Sequence, residues 1–213
     1  MKNLLIIGAG GFGREVYDWA CQCQSFCREW VVKGFLDDDP GALKGYNMAA
    51  GAIASVDDYQ PLGNDVFVCA IGKPENKKKC CEKILEKGGA FTNIIHSSVI
   101  LGRNVRLGEG VILCPGVTLT CDIQIGSHVA LNLKASLGHD AIIGDYCQIS
   151  SFCDITGKVK LGNEVFMGSH ASILPGTAIG HNALIGAGSV VVKDVKPRTT
   201  VFGVPAQPLT FES

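Results

Sequence analysis

The chain has 213 residues, with 19 Lys+Arg against 20 Asp+Glu and a formal net charge of −1. That balance leaves no basic stripe for DNA or RNA, and 46% hydrophobic residues place it among folding rather than disordered chains. Glycine supplies 27 residues without a three-residue period, which excludes collagen. Only four apolar residues separate Asn3 from Gly8, too few for a signal-peptide core or a membrane span. Ten cysteines without such a leader point to a reducing, cytoplasmic setting. Cys21, Cys23 and Cys27 fall in a predicted helix, and no C-x-x-C pair supports structural zinc.

Residues 1–93 read as an α/β unit of half-Rossmann size. Leu4–Ile7 is a buried-strand run, followed by Gly8-Ala9-Gly10-Gly11-Phe12-Gly13 and an amphipathic helix from about Arg14 to Cys23. Strand, G-x-G-x-x-G and helix in that order let backbone approach a phosphate that the helix N-terminus stabilises. The alternative is a Gly-rich turn without a ligand. Val31–Leu36 is a second strand, and Asp37 and Asp38 at its carboxyl end can hydrogen-bond a ribose or a base. Val66–Ile71 is a third strand; Lys73, Lys77, Lys78 and Lys79 follow on a helix running to about Lys87, closed by Gly88-Gly89. Those lysines read equally as an anion site or a solvated face. One half-Rossmann suits a mononucleotide or a nucleotide-sugar better than NAD.

From Ile94 the chain divides into seventeen uninterrupted hexads ending at Val195. The second position is always aliphatic or Met, from Ile95 to Val191, and the sixth is small or β-branched, from Val99 to Val195. One large and one small inward residue every six describe a β-solenoid whose coils of eighteen residues stack at about 4.8 Å. Glycine often follows the aliphatic residue, where a tight corner would need its φ freedom. The five histidines, His96, His128, His139, His170 and His181, include no sequence-close pair of the kind that binds zinc on such prisms. His128, His170 and His181 read as surface residues at solenoid corners.

The combination of GAGGFGREV, FLDDD, AIG with its basic cluster, and LNLKASLGHDAIIGD resembles the hexapeptide-repeat sugar O- and N-acetyltransferases. These act on sialic acids or UDP-4-amino-sugars, and the likeness runs over essentially the whole chain. GAGSVVVKDV and GVPA are shared more widely among hexapeptide acyltransferases. The resemblance implies a left-handed parallel β-helix over 94–213, a homotrimer, and acetyl-CoA lying between neighbouring prisms. It gives His139 the role of general base toward a sugar amine or hydroxyl, with Asp140 orienting the imidazole. Gly157, Ser169 and Ala187 match coenzyme-contacting positions, the Gly157 N–H meeting the thioester carbonyl. Asn132, Gly10, Gly11, Phe12, Asp37 and Asp38 match positions on the sugar and nucleotide side. Gln148 stands where the family often has a second histidine that contacts the acetyl carbonyl; it can donate a hydrogen bond but cannot shuttle a proton.

Repeat arithmetic supports part of this independently. Gly157 lies one coil past His139, and Ala187 one coil past Ser169, so each pair stacks in a column. No Ser or Cys is paired with a base, so direct attack on the thioester is expected, without an acyl-enzyme. The rival readings are a non-catalytic nucleotide-sugar sensor or scaffold, and an acyltransferase with another donor or a non-sugar acceptor.

Overall fold

The structure, a computed structural model, describes residues 1–26 and 28–209. Cys27, expected in the first helix, lies outside the described residues. The N-terminal sheet is wholly parallel, in the order β3-β2-β1-β4-β5, from β1 (Lys2–Ile7), β2 (Trp30–Leu36), β3 (Ala52–Ala54), β4 (Asp65–Cys69) and β5 (Ala90–Phe91). Leu4, Leu5, Ile6 and Ile7 of the central β1 are all fully buried, as a strand covered on both faces requires. Leu4 and Ile6 pack with Val16 and Ala20 of α1 (Gly11–Cys21). Leu5 and Ile7 pack with Cys81 and Ile84 of α2 (Pro74–Glu86) on the other side.

Helix α1 starts three residues earlier than predicted, because the Gly-rich segment itself enters the helix with Gly10 at its N-cap. It stops at Cys21 as the backbone tightens, Gln22 and Cys23 N–H bonding back only three residues to Trp19 and Ala20. Strands β3 and β5 were not expected; they are three and two residues long, too short to show a pattern.

Between Phe91 and Ile94 the chain leaves this sheet and enters the solenoid. Seventeen two-residue strands, β6 (Ile94–Ile95) to β22 (Val190–Val191), recur every six residues. Each strand pairs in parallel with the one eighteen residues on, as in Thr118↔Ser136↔Asp154. This makes three faces: a first from Ile94–Ile95, a second from Ile100–Leu101 and a third from Arg106–Leu107. The inward second and sixth positions build one core: Leu131, Leu137, Ile149, Ile155, Val129, Ala135 and Ala141 have no exposure. Leu101 is an exception, 46% exposed, because no coil lies above the second face there. The first face is extended by β23 (Thr200–Gly203) and its antiparallel partner β24 (Ala206–Pro208).

The glycines after the aliphatic residue serve a different purpose from the one expected. Positive φ falls instead on the fifth hexad position, on residues as bulky as His128, Tyr146 and Phe152. Glycine at the third position answers coil-to-coil contact: a Cβ on Gly138 would come 2.5 Å from Gly157 N, and one on Gly144 2.6 Å from the Gly162 carbonyl carbon.

The N-terminal domain docks on the first face. Phe12 and Leu133 share one apolar cluster with Ile94, Ile112 and Ala130, and His96 Nε2 meets Gln22 Oε1 at 3.0 Å. Lys78 Nζ donates to Glu164 Oε1 at 2.9 Å. Among the described residues no helix is long and apolar enough to cross a membrane.

Candidate active site

Successive strands are added to one side of β1 and then to the other, in the order β2-β1-β4, and ligands of open parallel sheets bind outside the carboxyl ends of strands at that switch. A cleft of about 330 Å³ lies there, bounded by Gly8, Asp37, Asp38, Ile71, Asn76 and Lys79. Gly8 turns through φ +95°, and a Cβ on Gly13 would press on the Gly8 carbonyl, so α1 sits close against β1. Gly10 and Gly11 face open space instead. A Cβ on Gly10 would meet nothing within 4 Å, and one on Gly11 only the Arg14 guanidinium at 4.0 Å. No side chain caps α1, so its N-terminus is open to an anion.

Asp37 has structural work: its Oδ2 accepts the Ala9 N–H at 2.7 Å and its Oδ1 the Asp39 N–H at 2.9 Å. Asp38 lines the cleft. The lysines following β4 divide by helix face. Lys79 borders the cleft and pairs with Glu75, Lys78 pairs with Glu164 of the solenoid, and Lys77 points inward with no exposure. Positions 77, 81 and 84 form the buried stripe of α2, and 76, 79, 80 and 83 the cleft side.

His139 and Asp140 occupy the corner between the second and third faces. His139 Nδ1 and Asp140 Oδ2 are 2.8 Å apart, and both side chains are more than half exposed. Donation from Nδ1 to the carboxylate leaves Nε2 with the free lone pair. The imidazole lies over Gly157, as the column predicted: a Cβ on Gly157 would stand 2.6 Å from His139 Nε2 and 2.8 Å from Cε1. Lys158 N–H, next in the chain, bonds the His139 carbonyl at 2.8 Å.

The remaining candidates sit elsewhere on the prism. Asn132, Ser169 and Ala187 line the corner between the first and second faces, where Asn132 Oδ1 accepts the Leu133 N–H at 2.8 Å. Ser169 and Ala187 stack there, in a column neighbouring that of His139. Asn132 precedes Leu133, which packs against the same apolar cluster as Phe12. Gln148 lies on the first face itself, opposite the His139 corner, and is only 4% exposed. Its Oε1 accepts from Lys77 Nζ at 2.9 Å. One chain therefore joins His139 to Asp140 and Gly157 at one edge of the prism, while Asn132, Ser169 and Ala187 stand at another and the nucleotide cleft lies within the N-terminal domain.

Two buried groups escaped the sequence reading. Lys77 crosses from α2 to the solenoid, and burial pushes its pKa down while neighbouring thiols, Cys69 first, pull the other way. His128 is not a surface residue: at 4% exposure it lies between the rings of Phe91 and Tyr146, 4.5 and 4.9 Å away. The docked domain supplies Phe91 and so covers this corner. A second cleft, of about 390 Å³, runs along the junction and is walled by Gly72, Lys73, Pro74, Phe166 and Leu184.

Comparison with known proteins agrees with this architecture. Residues 3–84 match the PglD N-terminal domain, and residues 158–193 the hexapeptide repeat of succinyl-transferase. Among solved structures, PerB from Caulobacter crescentus, in complex with CoA and GDP-perosamine, is 29% identical, with a TM-score of 0.87. That likeness covers 99% of this chain and 98% of PerB. WeeI from Acinetobacter baumannii AYE is 27% identical over 98% of this chain and all of its own, with a TM-score of 0.86. The acetyltransferase domain of PglB from Neisseria gonorrhoeae FA1090, solved with acetyl coenzyme A, is 25% identical with a TM-score of 0.86, over 98% and 99% of the two chains. Curated relatives match a shorter stretch. Galactoside O-acetyltransferase of Escherichia coli K12 is 45% identical over 49 residues, 23% of this chain, and the match spans 24% of that protein's length.

The chain thus joins a region matching the PglD N-terminal domain to a hexapeptide-repeat β-helix, its curated relatives are acetyltransferases, and its structural neighbours include acetyltransferases. The neighbours matching over their full length include sugar N-acetyltransferases, the family its motifs resemble.

Proposed function

We propose that this protein transfers the acetyl group of acetyl-CoA to the amine of a nucleotide-linked amino sugar. The observation carrying this reading is the His139–Asp140 pair seated on Gly157, an exposed base of fixed tautomer beside a glycine backbone. His139 Nε2 takes the proton from the sugar nitrogen as that nitrogen attacks the thioester carbon. The Gly157 N–H stands beside it to stabilise the oxyanion. Collapse then expels the CoA thiolate, with no acyl-enzyme. Gly10, Gly11 and Phe12 at the open start of α1 hold the diphosphate, and Asp37 acts by fixing the Ala9 turn. Asp38 and Asn132 complete the acceptor side, while Ser169 and Ala187 flank the pantetheine arm.

Because the His139 corner lies opposite the face on which the N-terminal domain docks, the complete site would form between copies. A homotrimer accomplishes this, each His139 corner facing the docked face of its neighbour. Perosamine N-acetyltransferase supports the acceptor class, since structures of His→Asn and His→Ala variants of it are described in complex with CoA and GDP-perosamine.

The test is thiol release from acetyl-CoA with a panel of UDP- and GDP-linked amino sugars, UDP-sugars and free sialic acids. Wild type and His139→Ala are assayed side by side. Turnover confined to nucleotide-linked amino sugars, and reduced at least about 10²-fold in the variant, is expected. Unchanged turnover in the variant removes His139 as the base. Tight nucleotide-sugar binding with no turnover selects a sensor instead.

A further inference from the structure

Two bases are sealed where the N-terminal domain meets the first face, and among the described residues neither makes an ion pair. Lys77 of α2 has no exposure, and its Nζ donates to the Cys147 carbonyl at 3.2 Å and to Gln148 Oε1 at 2.9 Å. His128 is buried between Phe91 of β5, edge-on at 4.5 Å, and the stacked ring of Tyr146 at 4.9 Å. Its Nδ1 is buried and has no hydrogen-bond partner. An imidazolium carries a donor on both nitrogens. Charging this ring under the docked domain therefore leaves a buried N–H unsatisfied beside a second base.

The groups around His128 do little to offset that cost. Lys77 opposes its charge from α2. Asp145, on the next coil, favours the charge, but its Oδ1 already accepts the Ser127 N–H at 2.7 Å. Glu109, on the preceding coil, accepts the His128 backbone N–H through its carbonyl. Lys78 stands 6.0 Å from the Tyr146 ring and is paired with Glu164. Lys77 itself faces the thiols of Cys69, Cys81, Cys114 and Cys147. His96, also at the junction, can charge in place, because Gln22 Oε1 and Ser98 Oγ are both able to accept. The prism core, from Val111 to Val201, contains no residue of the N-terminal domain, so it persists if the domains part.

We propose that the junction is an acid-sensitive latch: a proton taken by His128 loosens the N-terminal domain from the first face while the prism stays folded. Under the docked domain, burial and Lys77 push the His128 pKa down to about 4; uncovered, it returns toward about 6.5. The undocked form binds the proton more tightly. Docking is therefore at full strength above pH 6.5 and weakens as pH falls toward 4, by about fiftyfold between pH 7 and 4.5. The latch does not rest on the acyl-transfer reading.

Two cysteines report the junction and the prism separately. Cys114 has no exposure, belongs to the apolar cluster shared by both domains, and lies near Glu15 of α1 and Lys77 of α2. Cys153 is buried in the prism core. The full chain is labelled with a dipyridyl disulfide, which reacts with thiols in acid, from pH 7 to 4.5. Each site's rate is read by mass spectrometry and divided by that of the unfolded chain at the same pH. In wild type, Cys114 labelling is expected to rise by about tenfold or more while Cys153 stays protected. His128→Phe and His128→Gln cannot take the proton, and each is expected to rise less than about threefold. Two replacements are used so that a misfit of the larger ring leaves the smaller side chain to decide. A flat wild-type profile overturns the latch. The same rise in both variants also overturns it, and assigns the acid response to the Lys78–Glu164 pair. Cys114 and Cys153 becoming reactive together overturns it as well, since the chain then unfolds as a whole.

Discussion

His139 depends on an absence. Its ring occupies the volume that any side chain at position 157 would claim, with Nε2 2.6 Å from that notional Cβ. Gly157→Ala must therefore push the imidazole out of line with Asp140, while the backbone there needs no positive φ and tolerates alanine. A fall in kcat of about 10²-fold is expected, since an ångström of misplacement suffices for that. The melting temperature should stay near wild type, because His139 is an exposed side chain; a large drop would show that Gly157 serves packing instead. His128 shows the opposite situation, a titratable ring used as filler. Burial, with Lys77 nearby, pushes its pKa down to about 4, against about 6.5 in an unfolded chain. Below pH 6.5 the unfolded state binds a proton that the folded state refuses, so stability falls as pH drops toward 4. The loss is on the order of 3 kcal/mol across that window. Unfolding free energies of wild type and His128→Phe, measured from pH 7.5 to 4.5, should diverge progressively, the variant lacking this slope. Parallel curves would mean that His128 already titrates normally in the folded protein.

At the scale of elements, the solenoid was readable because its two inward positions demand a large and a small apolar residue in every hexad. The core from Leu113 to Val191 obeys that rule. The corners were less readable. Asp122, His128, Lys134, Asp140, Tyr146 and Phe152 all take positive φ, a conformation that composition assigns to glycine or asparagine. Ladder hydrogen bonds on both sides hold each corner, and their sum over-determines a backbone that local preference would refuse. The half-Rossmann was legible in β1, its Gly loop and α1. Strand β3 was not, because Ile53 is 44% exposed and three residues at a sheet edge leave no periodic trace. Helix α2 announced its lysines but not their fates. Only docking decides that Lys77 is sealed, Lys78 paired across the junction and Lys79 left at the cleft.

For the whole molecule, the decisive feature is that the proposed base and the nucleotide cleft stand on opposite sides of one chain. A site shared between copies makes a specific prediction. Gly10→Tyr starts where an added Cβ meets nothing within 4 Å and places a ring over the proposed phosphate site, and His139→Ala removes the proposed base. Each alone should be inactive. Unfolded and refolded together, they should regain activity from mixed assemblies in which one copy lends His139 and another the cleft, about one site in four for equal mixing. No recovery in mixed assemblies of confirmed composition would confine the site to single chains. The sequence by itself determined the solenoid, the nucleotide-type loop and the His139–Gly157 column, because each rests on spacing along one chain. Tertiary structure alone decided that Gln148 faces Lys77 rather than His139, that His128 is buried, and that the His139 edge and the nucleotide cleft stand apart. Those outcomes depend on which prism face the N-terminal domain covers, and a six-residue repeat presents three faces of equal pattern.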